Sequence, residues 1–291
     1  MKSLKLLLFL ALATPLFTHD ARAEKMQITS ITSLGDLKAI GINDHSDVLV
    51  LVRKTNEICI WRHGKLIHSG QTAGHSWGAI NNQGDIVFNR SLGQGRYVVC
   101  LLHGMRAKDI NSPSLRDCTA CGLNDRGEIL ISGNQGVGVF HDGKLRMVLP
   151  AIRDRLISPI AMNNRGDIAG SIVAKVSPRP HDYHEDAFVY SHGKITKLPG
   201  DKARYQHPFS VSNDGAIVGF SRPKGYPNSY TPVVWQSVTS TPIDLNTVLP
   251  KGSQIILKNA IAVNNRHQIV GWGLNGQQHL SFLLSYRVVR P

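Results

Sequence analysis

Residues 78–88 read Gly-Ala-Ile-Asn-Asn-Gln-Gly-Asp-Ile-Val-Phe: a short apolar run, an Asn-Asn-x-Gly turn, and a second apolar run. Asn and Gly accept the left-handed backbone of a tight turn, and an Asn side chain can hydrogen-bond back to its own turn. Two apolar runs joined in this way predict a β-hairpin. The pattern occurs five more times, as AIGINDHSDVLVL from 39, CGLNDRGEILI from 121, IAMNNRGDIAG from 160, FSVSNDGAIVG from 209 and IAVNNRHQIVG from 261. Its aligned polar residues are Asn43, Asn81, Asn124, Asn163, Ser212 and Asn264, spaced 38, 43, 39, 49 and 52 residues apart. Gly84, Gly127, Gly166 and Gly215 are expected at the left-handed position. Ser46 and His267 replace Gly in the outer copies, and looser turns are expected there.

A second hairpin follows in most copies. WRHGKLI at 61, LLHGMRA at 101, FHDGKLR at 140 and YSHGKIT at 190 each read strand, turn, strand, with Gly64, Gly104, Gly143 and Gly193 at the turn. The last two copies lose this glycine. One unit therefore has four strands, a to d; in the first copy they are 39–42, 47–53, 57–62 and 65–69. A lone four-stranded sheet exposes two apolar faces, and stacking like units around an axis buries them. The expected fold is all-β: a β-propeller of six blades, each of four antiparallel strands. Met26 to Leu34 reads as an isolated strand d that completes the sixth blade and closes the ring. Arg287 to Arg290 is the competing source of that strand. An open β-solenoid is the alternative fold, although its repeats would be shorter and more regular.

The first 23 residues stand apart. Lys2 and Lys5 precede an apolar run from Leu6 to Leu16 that is too short to span a bilayer, and Ala21-Arg22-Ala23 is an A-x-A cleavage signal. A cleavable secretory signal peptide is expected over 1–23, with a single propeller domain over 24–291. The mature chain is then periplasmic or secreted, with no membrane span. At 42% apolar and 18% charged residues the composition is that of a folded chain rather than a disordered one. Residues 1–23 carry Lys2, Lys5 and Arg22 against Asp20, so cleavage lowers the formal net charge from +13 to +11. Such a surface favours acidic partners. The basic residues are scattered, and no nucleic-acid-binding motif is present.

Three further segments carry a family resemblance. Leu34-Gly35-Asp36-Leu37, the stretch Ala260 to Gly271, and Asp186-Ala187-Phe188 with Tyr190 and Gly193 resemble the L-G-x-L, A-x-x-I-N-x-x-G-x-V-V-G and H-A-F-x-W…G segments of the HAF-repeat family of extracellular bacterial proteins. Asp186 stands where that pattern has His. The resemblance covers nearly the whole mature chain. It implies export and a repeated β-fold, and it brings no catalytic residues.

Several motifs could carry chemistry. Cys118 and Cys121 form a C-x-x-C without a helix start or a second C-x-x-C, which points to a structural pair, such as a local disulfide, rather than a redox or zinc motif. Cys59 and Cys100 fall in apolar strands and are expected to be buried and inert. Gly74-His75-Ser76-Trp77-Gly78 matches G-x-S-x-G, but a repeat strand follows where a nucleophile elbow needs a helix. His181 and His184, beside Asp182, Glu185 and Asp186, are weak metal candidates lacking a distant third ligand. His63, His103 and His192 recur at hairpin turns, and a turn role is expected for them. The Asn-Asp-x-Gly turns are too short for a calcium loop. No cofactor motif is read.

The functional expectation is geometric. In a propeller the b–c and d–a loops share one face. The long loops, about 174–186, 199–208, 221–231 and 246–258, all lie there. They carry Arg179, His181, Tyr183, His184, Arg204, Tyr205, His207, Arg222, Lys224, Tyr226 and Tyr230, and loops on a rigid scaffold are where binding residues concentrate. The expectation is a monomeric, non-enzymatic binding module for an anionic glycan, an envelope component or a protein. The alternatives are a glycan hydrolase or lyase using Asp182, Glu185, Asp186 or Asp201, and a structural envelope protein.

Overall fold

The structure is a computed structural model that describes residues 25–73, 77–104, 106–110, 112–153, 155–175, 183–200, 204–223 and 229–289. The expected signal segment lies outside them. Strand β1 (Lys25–Ser33) opens the chain. Blade one follows as β2 (Leu37–Ile42), β3 (Val48–Val52), β4 (Glu57–Arg62) and β5 (Lys65–Thr72). Blade two is β6 (Gly78–Ile80), β7 (Ile86–Gly93), β8 (Arg96–His103) and β9 (Arg106–Asp109). Blade three is β10 (Thr119–Leu123), β11 (Ile129–Gly133), β12 (Gly136–His141) and β13 (Lys144–Pro150). Blade four is β14 (Arg155–Met162), β15 (Ile168–Lys175), β16 (Tyr183–Ser191) and β17 (Lys194–Lys197). Blade five is β18 (Arg204–Val211), β19 (Ile217–Pro223), β20 (Thr231–Trp235) and β21 (Ile243–Asp244). Blade six takes β22 (Ile255–Val263), β23 (Gln268–Asn275) and β24 (Gln278–Val289), and β1 is its fourth strand.

The described residues thus form six four-stranded antiparallel sheets in a ring, the β-propeller expected from the repeats. The N-terminal strand closes it, pairing antiparallel with β24 from Lys25↔Val289 to Ser33↔Phe282. Arg287 therefore extends strand c rather than supplying strand d. Among the described residues no helix is long and apolar enough to cross a membrane.

The core is divided among the blade interfaces. Leu49, Leu51, Ile58 and Ile60 of blade one pack against Ile80, Ile86, Phe88 and Leu102 of blade two. The interface of blades five and six holds Val218, Val234, Leu257, Ile269, Phe282 and Leu284, and β1 adds Met26 and Ile28. Alternate strand residues thus face opposite neighbours, so a strand buried on both sides reads as a continuous apolar run, as in Val48–Val52.

The a–b turns have the expected chemistry. Gly84 sits at φ +81°, and its N–H donates to the Asn81 carbonyl at 3.1 Å. The looser turn expected at Ser46 is not found, whereas the turn at His267 lacks the N–H bond to the Asn264 carbonyl that closes the other copies. Both residues adopt the left-handed conformation, at φ +64° and +56°, and the Ser46 N–H still reaches the Asn43 carbonyl at 3.2 Å. Ser46 Oγ is held by Gln268 Oε1 at 2.8 Å, and the His267 ring stacks on Tyr286. These contacts hold the residues in a conformation that non-glycine side chains rarely adopt. In blades one, three and four the second hairpin is a two-residue turn with both central residues at positive φ: His63–Gly64, Asp142–Gly143 and His192–Gly193.

Candidate functional site

The a–b turns meet around the central axis, where their second polar residue has a task the turn itself does not require. Backbone N–H groups donate to side-chain oxygens of the next blade: Asp44 to Asn82 (2.7 Å), Asn82 to Asp125 (2.8 Å), Asp125 to Asn164 (2.8 Å), Asn164 to Asn213 (2.8 Å), Asn213 to Asn265 (2.6 Å) and Asn265 back to Asp44 (2.8 Å). The circuit is complete. Asp44 Oδ2 and Asp125 Oδ2 each also accept from two flanking Asn amides. Behind it lies a second ring, in which buried Asn43, Asn81, Asn124, Asn163 and Asn264 donate through Nδ2 to a carbonyl of the next blade. Along the axis runs a narrow channel of about 130 Å³, which Trp77, Ile160, Phe209 and Ile261 line beyond the polar rings. This is a locked, narrow axis with little room for a substrate. A wider hollow of about 480 Å³ lies off the axis, in blade three beside Pro113, Arg116, Cys118 and Met147.

On the opposite face, described polar and aromatic side chains gather where blades four and five meet. His207 Nδ1 lies 2.7 Å from Glu185 Oε1, a contact that crosses the interface with side-chain exposures of only 23% and 11%. Burial alone would push the Glu185 carboxyl up. The His207 hydrogen bond and charge, the Ser171 hydroxyl and the Arg222 charge together outweigh it and hold the group below its ordinary value. The His207 ring stacks on Phe220 at 5.2 Å, and Phe220 meets the exposed Tyr230 edge-on at 4.9 Å. Arg222 lies over the Tyr205 ring, 4.6 Å from its centroid. The result is a rim of aromatic faces with a guanidinium among them, fixed from below by the half-buried Glu185–His207 hydrogen bond.

The expected binding residues divide into three groups. Tyr205, Arg222 and Tyr230 come together here, whereas Arg179, His181, Lys224 and Tyr226 lie outside the described residues. Tyr183, His184 and Arg204 occupy strand positions whose backbone alone is described. The loops are shorter than expected. Lys175 pairs with Tyr183 and Arg204 with Pro223, so Tyr183, His184, Arg204, Tyr205 and Arg222 stand on strand ends rather than in loops. The second His of the weak metal pair is thus backbone-placed on β16, and the first is outside the described residues.

Of the hydrolase candidates, Asp182 and Asp201 lie outside the described residues. Glu185 and Asp186 are neighbours on one strand and diverge: Glu185 bonds His207, while Asp186 bonds Lys197. They do not face each other across a cleft. The thiols of Cys118 and Cys121 are free. Cys118 packs on the blade-two side of its sheet and Cys121 on the blade-four side, so the structural bridge expected from the spacing is not formed. Cys59 and Cys100 are buried as expected.

Two features escaped the sequence reading. The second polar turn residue, always Asn or Asp, was a usable signal, because a single Asn suffices for the turn. The placement of Phe220 against His207 had no local signal, since it depends on how β18 and β19 pair.

No family model matches the chain, and no curated protein matches it. Solved structures do. A gluconolactonase from Xanthomonas campestris superposes with a TM-score of 0.56 at 12% identity, covering 91% of this chain and 96% of that one. A protein assigned as TolB from Agrobacterium tumefaciens gives 0.55 at 9% identity, covering 92% and 99%. A protein of unknown function from Bacteroides thetaiotaomicron gives 0.53 at 10% identity, covering 91% and 77%. At such identities the likeness is one of fold, and the chain shares the propeller scaffold of these proteins.

Proposed function

We propose that this chain is an exported binding propeller of the HAF-repeat type, and that the blade-four and blade-five rim holds an anionic glycan of the cell envelope. The observation that carries the reading is the rim itself: Arg222 over Tyr205, and exposed Tyr230 against Phe220, beside the half-buried Glu185–His207 contact. Aromatic faces suit sugar rings, and the guanidinium suits a carboxylate or phosphate substituent. The mature net charge supports an acidic partner. A binding role is favoured over hydrolysis because Glu185 is held in its ionised form and its nearest carboxylate diverges from it, whereas a glycosidase needs one protonated acid and a facing partner.

The test is binding of the purified chain to immobilised lipopolysaccharide and to a neutral polysaccharide. Saturable binding to the anionic surface is expected, weakening as salt rises. Arg222→Ala and Tyr230→Ala should each lower affinity about tenfold, the scale of a rim hot spot. Binding that both variants leave unchanged would remove the rim from the site.

A further inference from the structure

Away from that rim, the outer strands of blade one bring three ligand-type side chains to one point. Glu57 and Cys59 are two apart on β4 and share a face, and His68 on β5 is the cross-strand partner of Cys59. The ladder between these strands is uneven. Glu57 pairs with Thr72 and Cys59 with His68, so β5 bulges over 69–71, where Gly70 turns at φ +68°. The bulge is tied down: the Gly70 N–H donates to Glu57 Oε1 at 3.2 Å, and Ser69 Oγ donates to the Ile58 carbonyl at 2.6 Å. Glu57 Oε2 is thereby left facing His68 Nδ1 at 3.1 Å, and Cys59 Sγ approaches the same nitrogen at 3.5 Å. All three ligand atoms lie within 4.8 Å of one another.

Such a trio has two chemical readings, a nucleophilic triad or a chelate. A triad needs the imidazole to relay between its two nitrogens, one to the thiol and one to the carboxylate. Here both neighbours address Nδ1. Burial and the Glu57 charge also push the Cys59 thiol up to about 11, the reverse of an activated nucleophile. Convergence of sulfur, nitrogen and oxygen on one point is the arrangement of a chelate. A tetrahedral ion with ordinary zinc bond lengths sets its sulfur and nitrogen ligands about 3.6 Å apart, and its nitrogen and oxygen ligands about 3.3 Å apart. The distances of 3.5 and 3.1 Å match that figure before any adjustment.

We propose that Glu57, Cys59 and His68 form a binding site for a divalent transition-metal ion of the zinc class, with a fourth position open to water. The mixed donor set suits a borderline ion rather than magnesium or calcium. The His68 side chain is 59% exposed, which gives the ion its entrance, while Cys59 is buried and Glu57 is 22% exposed. Binding displaces the thiol proton, so affinity rises with pH.

The experiment titrates the purified, reduced, metal-free chain with cobalt(II) and then displaces the cobalt with zinc. One equivalent should bind, with a thiolate-to-cobalt charge-transfer band that zinc removes. His68→Ala, at an exposed position, should keep the fold by circular dichroism, lose at least tenfold in affinity and weaken the band. Cys59→Ser should abolish the band, and Cys118→Ser should leave it intact. Should buried Cys59→Ser fail to fold, His68→Ala together with Glu57→Gln decides the matter alone. Absence of the band overturns the site. So does a band of full strength in His68→Ala, or cobalt binding lost only on replacing His181 and His184.

Discussion

Ser212 stands where the other five blades carry asparagine, and this one exchange leaves a gap in the inner ring. The five Asn side chains send Nδ2 to a carbonyl of the next blade, whereas Ser212 Oγ turns back on its own turn, to Asp214 and to the Ala216 carbonyl at 3.1 Å. Among the described residues no side chain of blade five therefore crosses to the Asn264 carbonyl, whereas Asn163 crosses to Ser212 at 3.0 Å. Ser212→Asn should restore the sixth crossing bond. One buried neutral hydrogen bond contributes about 1 kcal/mol net, so the urea midpoint should rise. A midpoint that stays or falls would mean that the inner ring adds nothing beyond turn closure. Blade five carries both this gap and every rim side chain named above except Glu185.

The strands show a different economy of space. Gly271 on β23 lies so close to β22 that an added Cβ would sit 2.0 Å from the Asn259 carbonyl oxygen, beside the register shift between Ala260 and Ala262. Gly84 has an open surrounding, with nothing within 4 Å of such a Cβ, and only its φ of +81° opposes a side chain. The two alanine variants should separate these effects. Gly84→Ala should cost about 1 kcal/mol, the ordinary left-handed penalty. Gly271→Ala should cost at least ~3 kcal/mol, because backbone must move. Equal losses by denaturant titration would refute the close-approach account. The same contrast explains what was legible in the sequence. Asn81 to Gly84 announced a turn because turn chemistry is local, and Val48–Val52 announced a doubly buried strand because its apolar run is unbroken. Arg204 to Pro208 read as loop because its side chains are polar, yet its backbone is paired with β19. Cross-strand pairing, not side-chain pattern, makes it a strand, and that is why Tyr205 and Arg222 stand on strand ends rather than in the expected loops. Glu57, Cys59 and His68 converge only through the bulge at 69–71, which no hydrophobic pattern records.

At the scale of the whole ring, closure depends on β1. In blade five the outermost strand β21 has only two residues, Ile243–Asp244, so a blade tolerates a poor strand d. In blade six the fourth strand is nine residues long, comes from the other end of the chain, and buries Met26 and Ile28 among Leu257, Leu280, Phe282 and Tyr286. Its Gln27 also accepts from Arg287 at 2.9 and 2.7 Å. Deleting 25–33 therefore does more than remove an edge. It leaves β24 with an unpaired flank, uncovers the apolar interface of blades five and six, and removes the strand that anchors the N-terminal end of the described chain in the sheet of the last blade. Ile28→Ala alone should cost about 2–4 kcal/mol, as for other buried large-to-small changes, and should lower the thermal midpoint by several degrees. Ile243→Ala, at a half-buried site on the two-residue strand, should cost roughly 1 kcal/mol or less. The deletion should lose cooperative unfolding and aggregate, and a peptide of residues 25–33 added in trans should partly restore the transition by refilling the vacant edge. If the deleted chain melts as cooperatively as the full one, at the same temperature, blade six stands on three strands and the ring is held by the turn circuit alone.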